Sequence, residues 1–184
     1  MAPIDTIDNE LIPEVLAAIA LQTAQNQIGE SEQPKGTNSG PMVNEYLRSV
    51  GLSPGYAWCQ AFVYWCYATA AKKTGRQNPV VRTAGVQHCW KHTVNSLKLL
   101  KADAIKNPEK IRAGDQFILF YAGQTGHTGL VERVERRSDD DKVKWIIHTI
   151  EGNSNNTGSR EGYEVVRHVR HLDDKALQGF IQYS

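Results

Sequence analysis

Little in this chain points to a membrane, a polyanion or a disulfide framework. No apolar run approaches the roughly 18 residues that a membrane-spanning helix needs, so no membrane span is expected. Lys and Arg number 21 against 20 Asp and Glu, so no excess of positive charge recruits a nucleic acid. The mixed-sign run Glu132 to Arg137 leads into Ser138-Asp139-Asp140-Asp141 and reads as a strand end followed by a solvated hairpin tip. Cysteines are few and odd in number, three in 184 residues. On one helix Cys59 and Cys66 would stand roughly 10 Å apart, too far for a disulfide. Reduced thiols are expected, as in a chain made in a reducing compartment. Met1 to Glu10 has neither a basic start nor an apolar stretch. A standard secretory signal is therefore not expected, and action outside the cytoplasm would need non-classical export, injection or lysis.

What is present fits one domain over residues 1–184. Hydrophobic residues make up 40% and charged residues 22%, an ordinary globular balance for a chain of this length. Residues 12–28 read as a helix, an N-terminal extension or first helix, with Pro13 in the first turn, a stripe of Val15, Leu16, Ile19 and Thr23, and Gly29 as the stop. Met42 to Val50 reads as a short helix closed by Gly51. From Cys59 to about Thr74 the chain is apolar and aromatic nearly all round, which predicts a buried central helix. A further short helix is expected over Ala84 to Val94, while residues 95–113 carry no clear pattern. Then the period changes. Gln116–Tyr121, Thr128–Glu135, Val143–Ile150, Tyr163–Arg170 and Gln178–Tyr183 are β-rich and separated by turn residues. Helices first and strands second predict an α+β domain, its helices packed on an antiparallel sheet of about five strands.

Three side chains stand out for chemistry. A cysteine at the first turn of a helix meets free backbone N–H groups and the positive end of the dipole, so Cys59 is placed to hold a thiolate. Cys66, mid-helix among aromatics, reads as packing. A thiolate nucleophile needs a base, and the base an orienting partner. Gly126-His127-Thr128-Gly129 puts His127 at the start of one strand, and Ile150-Glu151-Gly152-Asn153 ends the next. A hairpin turning near Arg137 to Asp141 brings His127 beside Glu151. Trp58 is expected to wall the cleft, with a core role close behind. Tyr56 is expected to line the pocket, and the Gln60 backbone N–H to serve an oxyanion. His88 and His92 stand at i and i+4, a spacing that suits zinc, but no further ligand accompanies them, so no metal is expected. His148 has the opposite parity to Glu151 and should point to the other sheet face. The basic strand end at His168 and His171 is given no role.

Four segments together, Tyr56-Ala57-Trp58-Cys59-Gln60-Ala61-Phe62-Val63, Arg112-Ala113-Gly114-Asp115-Gln116-Phe117-Ile118, Gly126-His127-Thr128-Gly129-Leu130-Val131 and Ile150-Glu151-Gly152-Asn153, resemble the CHAP family of cysteine amidases and peptidases. That family lies within the broader NlpC/P60-type, papain-like class. The resemblance covers about residues 28–184. It implies Cys59 as nucleophile, His127 as base, Glu151 as orienter and Asn153 as a fourth polar group, with Gly126 leaving room for substrate. It also implies cleavage of amide bonds in bacterial peptidoglycan: the stem peptide, the cross-bridge or the muramoyl–alanine amide. Some relatives carry an Asp-rich calcium loop near the nucleophile. Here Glu30 to Gly55 holds only Glu30, Glu32 and Glu45 as acids, so neither calcium nor another cofactor is expected. Two alternatives stay open: an amidase acting on a small γ-glutamyl or polyamine amide, and a catalytically silent binding module. A phage lysin or a delivered effector fits the N-terminus, with an immunity protein or a delivery component as partner.

Overall fold

A computed structural model describes residues 11–123, 125–139, 142–155 and 162–183. The N-terminal ten residues and the hairpin tip at 140 and 141 lie outside the described residues. Helices α1 (Leu11–Gln25), α2 (Pro41–Ser49), α3 (Cys59–Thr74) and α4 (Val86–His92) come first. After them come β1 (Lys98–Leu100), α5 (Lys101–Lys106), β2 (Gln116–Phe120), β3 (Gly126–Asp139), β4 (Lys142–Ser154), β5 (Glu164–His171) and β6 (Leu177–Ile181). The molecule is an α+β fold whose strands form one antiparallel sheet in the order β1-β6-β2-β3-β4-β5.

Among the described residues six strands form where patterning expects about five. The addition is β1, three residues long, paired with β6 at the sheet edge. It lies in the stretch 95–113, where a three-residue strand between helical turns leaves no periodic trace. The α1 stripe also shifts. Val15 is 48% exposed, and the packing face is Leu16, Ala17, Ala20, Leu21 and Ala24. Alanines let α1 lie close against α3, and the larger Val15 falls outside that seam. Gly75 ends α3 in the left-handed conformation at φ 68°, which glycine adopts without a Cβ penalty.

The sheet is covered on both faces. Ile118, Leu130, Ile150 and Ile181 pack against the helices α1 to α3. Phe117, Leu119, Val131, Ile147 and Phe180 alternate with them on the other face, closed by Leu99, Ala104, Ile111 and Leu172. Burial on both faces is why β2 reads as a continuous apolar run rather than an alternation. Residues 29–32 run beside β5, with hydrogen bonds from Gly29 N–H to Val165 C=O (3.0 Å), Val165 N–H to Glu30 C=O (2.8 Å) and Glu32 N–H to Tyr163 C=O (2.8 Å). The first half of that edge strand is thereby paired. Among the described residues no helix is long and apolar enough to cross a membrane.

Candidate active site

Helix α3 begins where its backbone geometry changes. Trp58 is the N-cap, and the ladder opens with Phe62 N–H donating to Trp58 C=O at 2.8 Å. The N–H groups of Cys59, Gln60 and Ala61 precede that bond and, among the described residues, are the free donors of the first turn. Cys59 is 5% exposed, so its sulfur sits in a sheltered mouth at the positive end of a 16-residue helix.

One neighbour of the nucleophile, Trp58, takes the core role rather than the cleft role. Trp58 is wholly buried and cannot wall a cleft. Its indole N–H donates to Glu32 Oε1 at 3.0 Å, and its ring packs on Tyr46 and Phe62. An indole beside a buried carboxylate gains both apolar burial and a hydrogen bond, which holds it inside. The Gln60 side chain is also fully buried and accepts from Gln116 Nε2 at 2.6 Å. Any contact of Gln60 with substrate is therefore through its backbone. Tyr56 is 54% exposed on the turn before the nucleophile.

His127 and Glu151 meet as the hairpin geometry predicts. Nε2–H of His127 donates to Glu151 Oε2 at 2.7 Å, while Cys59 stands close enough to the same imidazole to favour its charged form. Burial works against a charged ring here. Interaction with Cys59 and the bond and charge of Glu151 outweigh it and push His127 up to about 9. The Glu151 carboxylate is fully buried. It accepts from Thr149 Oγ1 at 2.6 Å, from Ser154 Oγ at 3.2 Å, and twice from Arg170, at 2.8 Å through Nε and 2.6 Å through Nη2. Burial pushes the carboxyl up, but Arg170 and His127 hold it well below the usual carboxylate range.

Ser154, rather than Asn153, reaches the carboxylate. The register shifts between Glu151 and Ser154, and Asn153 sits at φ 54° with its Oδ1 buried and without a partner among the described residues. Side-chain alternation along β4 does not survive that bulge. Two glycines set distances around the site. A Cβ at Gly129 would come within 2.9 Å of Glu151 Cγ, and one at Gly152 within 2.7 Å of the Trp58 ring. At Gly126 the obstruction would be Leu119 C=O at 2.7 Å, so this glycine serves the close approach of β2 to β3.

The other cysteines are sealed away. Cys66 and Cys89 are fully buried, and burial pushes both thiols up. His88 and His92 stack at 3.9 Å, and His92 Nδ1–H donates to His88 C=O at 2.9 Å. Among the described residues no group of three or more His, Cys, Asp or Glu is placed to share a metal ion. His148 Nε2–H donates to Glu135 Oε2 at 2.8 Å, away from the Cys59 cluster. Sequence patterning missed Thr149, Ser154 and Arg170. Thr149 and Ser154 flank Glu151 within three residues. Arg170 comes from an edge strand whose register no local pattern announces.

A thiolate facing an imidazolium, beside unpaired N–H groups at a helix start, can attack a carbonyl and stabilise the oxyanion that results. The CHAP domain family model matches residues 51–153, a span that contains Cys59, His127, Glu151 and Asn153. No curated protein and no solved structure matches the chain.

Proposed function

The chain belongs to the CHAP domain family as a cysteine peptidase or amidase, and from that premise we propose that it cleaves amide bonds in bacterial peptidoglycan. The observation that carries the reading is the His127–Glu151 bond set beside Cys59 at the start of α3. Cys59 Sγ attacks the amide carbon, and the N–H groups of the first helical turn receive the oxyanion. The tetrahedral intermediate collapses as the C–N bond breaks and the His127 proton passes to the departing amine. Water then attacks the thioester and gives a proton to His127. The C–S bond breaks and the thiolate beside an imidazolium is restored. Tyr56, exposed on the turn that precedes Cys59, is the side chain we assign to substrate contact.

Purified sacculi provide the test. Wild-type protein should lower their turbidity and release new amino termini. Cys59→Ala and His127→Ala should each reduce the rate by at least about a thousandfold. Muropeptide profiles identical with and without wild-type enzyme would sink the peptidoglycan reading while leaving the peptidase or amidase class intact.

A further inference from the structure

The end of β5 holds a charge to which the sequence pattern gives no role. From there the Arg170 guanidinium reaches both oxygens of Glu151, at 2.8 and 2.6 Å. Its Cζ lies 5.9 Å from the centre of the Phe117 ring. Oxygen Oε2 is shared, because it also accepts from His127 Nε2 at 2.7 Å. The titratable and charged groups that meet here come from every neighbouring element. They are Cys59 from α3, Tyr121 beyond β2, His127 from β3, Glu151 from β4, Arg170 from β5, and Asp174 after it.

Amide hydrolysis obliges His127 to change charge twice. Beside the thiolate it is an imidazolium, and after protonating the departing amine it is neutral. During the neutral interval Glu151, fully buried, loses the positive charge on that side. A buried carboxylate with no counter-charge is strongly disfavoured, and the penalty would keep the proton on His127. An arginine does not titrate in the working range, so its charge is present in both states of the histidine.

We propose that Arg170 is a positioning residue that keeps Glu151 a carboxylate through both halves of the reaction, so that His127 gives up and regains its proton without stranding a buried charge. The proposal rests on the hydrolase reading above. A purely structural Arg170, one that only ties β5 to β4, would leave the His127 titration where it is. It would also lower activity through loss of folded protein.

The measurement is an NMR titration of histidine-labelled, substrate-free enzyme, with the His127 signal assigned by its loss in His127→Gln. Arg170→Met keeps a stem against Phe117 and removes the charge. It should raise the His127 midpoint by at least about one pH unit relative to wild type. On a soluble muropeptide at pH 7 it should lower kcat about tenfold or more with KM unchanged. Arg170→Lys, which restores the charge, should return the midpoint towards wild type. If Arg170→Met does not fold, Arg170→Gln is read in the same way, since it keeps a donor without the charge. An unchanged or lowered midpoint in the folded neutral variant overturns the proposal. Failure of the wild type to cleave any wall peptide counts against the peptidoglycan reading instead, and the midpoint still decides the role of Arg170.

Discussion

Two buried carboxyl groups in one sheet, Asp115 just before β2 and Glu151 two strands away on β4, are driven in opposite directions. Glu151 and Asp115 are 0% and 1% exposed, so burial raises the cost of ionising both. At Asp115 burial prevails and pushes the carboxyl up to about 6. The opposing effects are the Arg112 backbone N–H at 2.9 Å, the Gln182 amide at 2.8 Å and a weaker influence of the Arg112 charge. At Glu151 a guanidinium held by two bonds and an imidazolium outweigh the same penalty. Depth alone does not decide whether a carboxyl is an anion in this fold. A bonded counter-charge does, and of these two carboxyls Glu151 is the one that has it.

The strongest way to break the contrast is Glu151→Gln, which removes the anion but keeps the shape. It leaves Arg170 without its partner and His127 without its orienting charge. Activity should fall about a hundredfold or more. Stability should fall by about 3 kcal/mol, the lower part of the range for a broken buried pair, because 21% of the Arg170 side chain still meets solvent. Steady-state kinetics and urea unfolding measure the two losses separately.

Next in size is the pH profile of the wild type. Because the folded-state value for His127 is raised from 6.5 to about 9, the imidazolium is present below that point and disappears as pH rises through it. Turnover on a soluble substrate should therefore decline above about pH 9, approaching tenfold per unit. The stabilisation that the charged ring brings to the fold is complete below pH 6.5 and is lost over the same rise. A basic limb near 6.5 would show that the coupling to Glu151 and Cys59 is absent.

Asp115→Asn sharpens the comparison from the other side. The folded-state value is raised from 3.8 to about 6, so the contribution of Asp115 to stability is greatest below 3.8 and declines as pH rises through about 6. The asparagine removes that slope and should stabilise the protein by about 1–3 kcal/mol at pH 7. Glu151 slopes the opposite way. Its contribution is present above 4.5 and is lost as pH falls through the depressed folded-state value. Urea midpoints from pH 4 to 8 should separate the two variants by the sign of their pH dependence relative to wild type. The smallest effect is expected at Glu32, a third buried carboxylate, which accepts from the Trp58 indole and from Gly36 N–H. Glu32→Gln should cost about 1 kcal/mol, the worth of a neutral hydrogen bond, measured by thermal unfolding.

Cys59, His127 and Glu151 were legible in the sequence because each sits at an element boundary that local chemistry marks. One is the start of an aromatic helix, one a glycine-flanked strand start, and one the polar Glu151-Gly152-Asn153 that follows the apolar run of β4. Their meeting follows from a single hairpin. The helices and long strands were legible for the same reason, since their periods are local. The role of Trp58 was not, because its partner Glu32 lies 26 residues earlier in a loop without periodicity. Arg170 was hidden by distance along the fold. It stands opposite Ile147, two same-face positions from Glu151, and only a long side chain on a twisted edge strand spans that gap. Ser154 reaches the carboxylate because of a bulge that counting residues in pairs does not foresee.

Gly152 carries a consequence for how such a protein could lose its activity and keep its shape. The start of α3 and the end of β4 touch there with only a hydrogen between them, since a methyl group would meet Trp58 and Phe62 at 2.7 and 2.8 Å. One added carbon would act as a shim, lifting the helix that carries the thiol off the strand that carries the acid. Every reactive group would survive, and the protein would still fold around its two apolar layers. What such a change removes is alignment, so a single alanine at that joint is a short mutational route from a cutting enzyme to one that only grips.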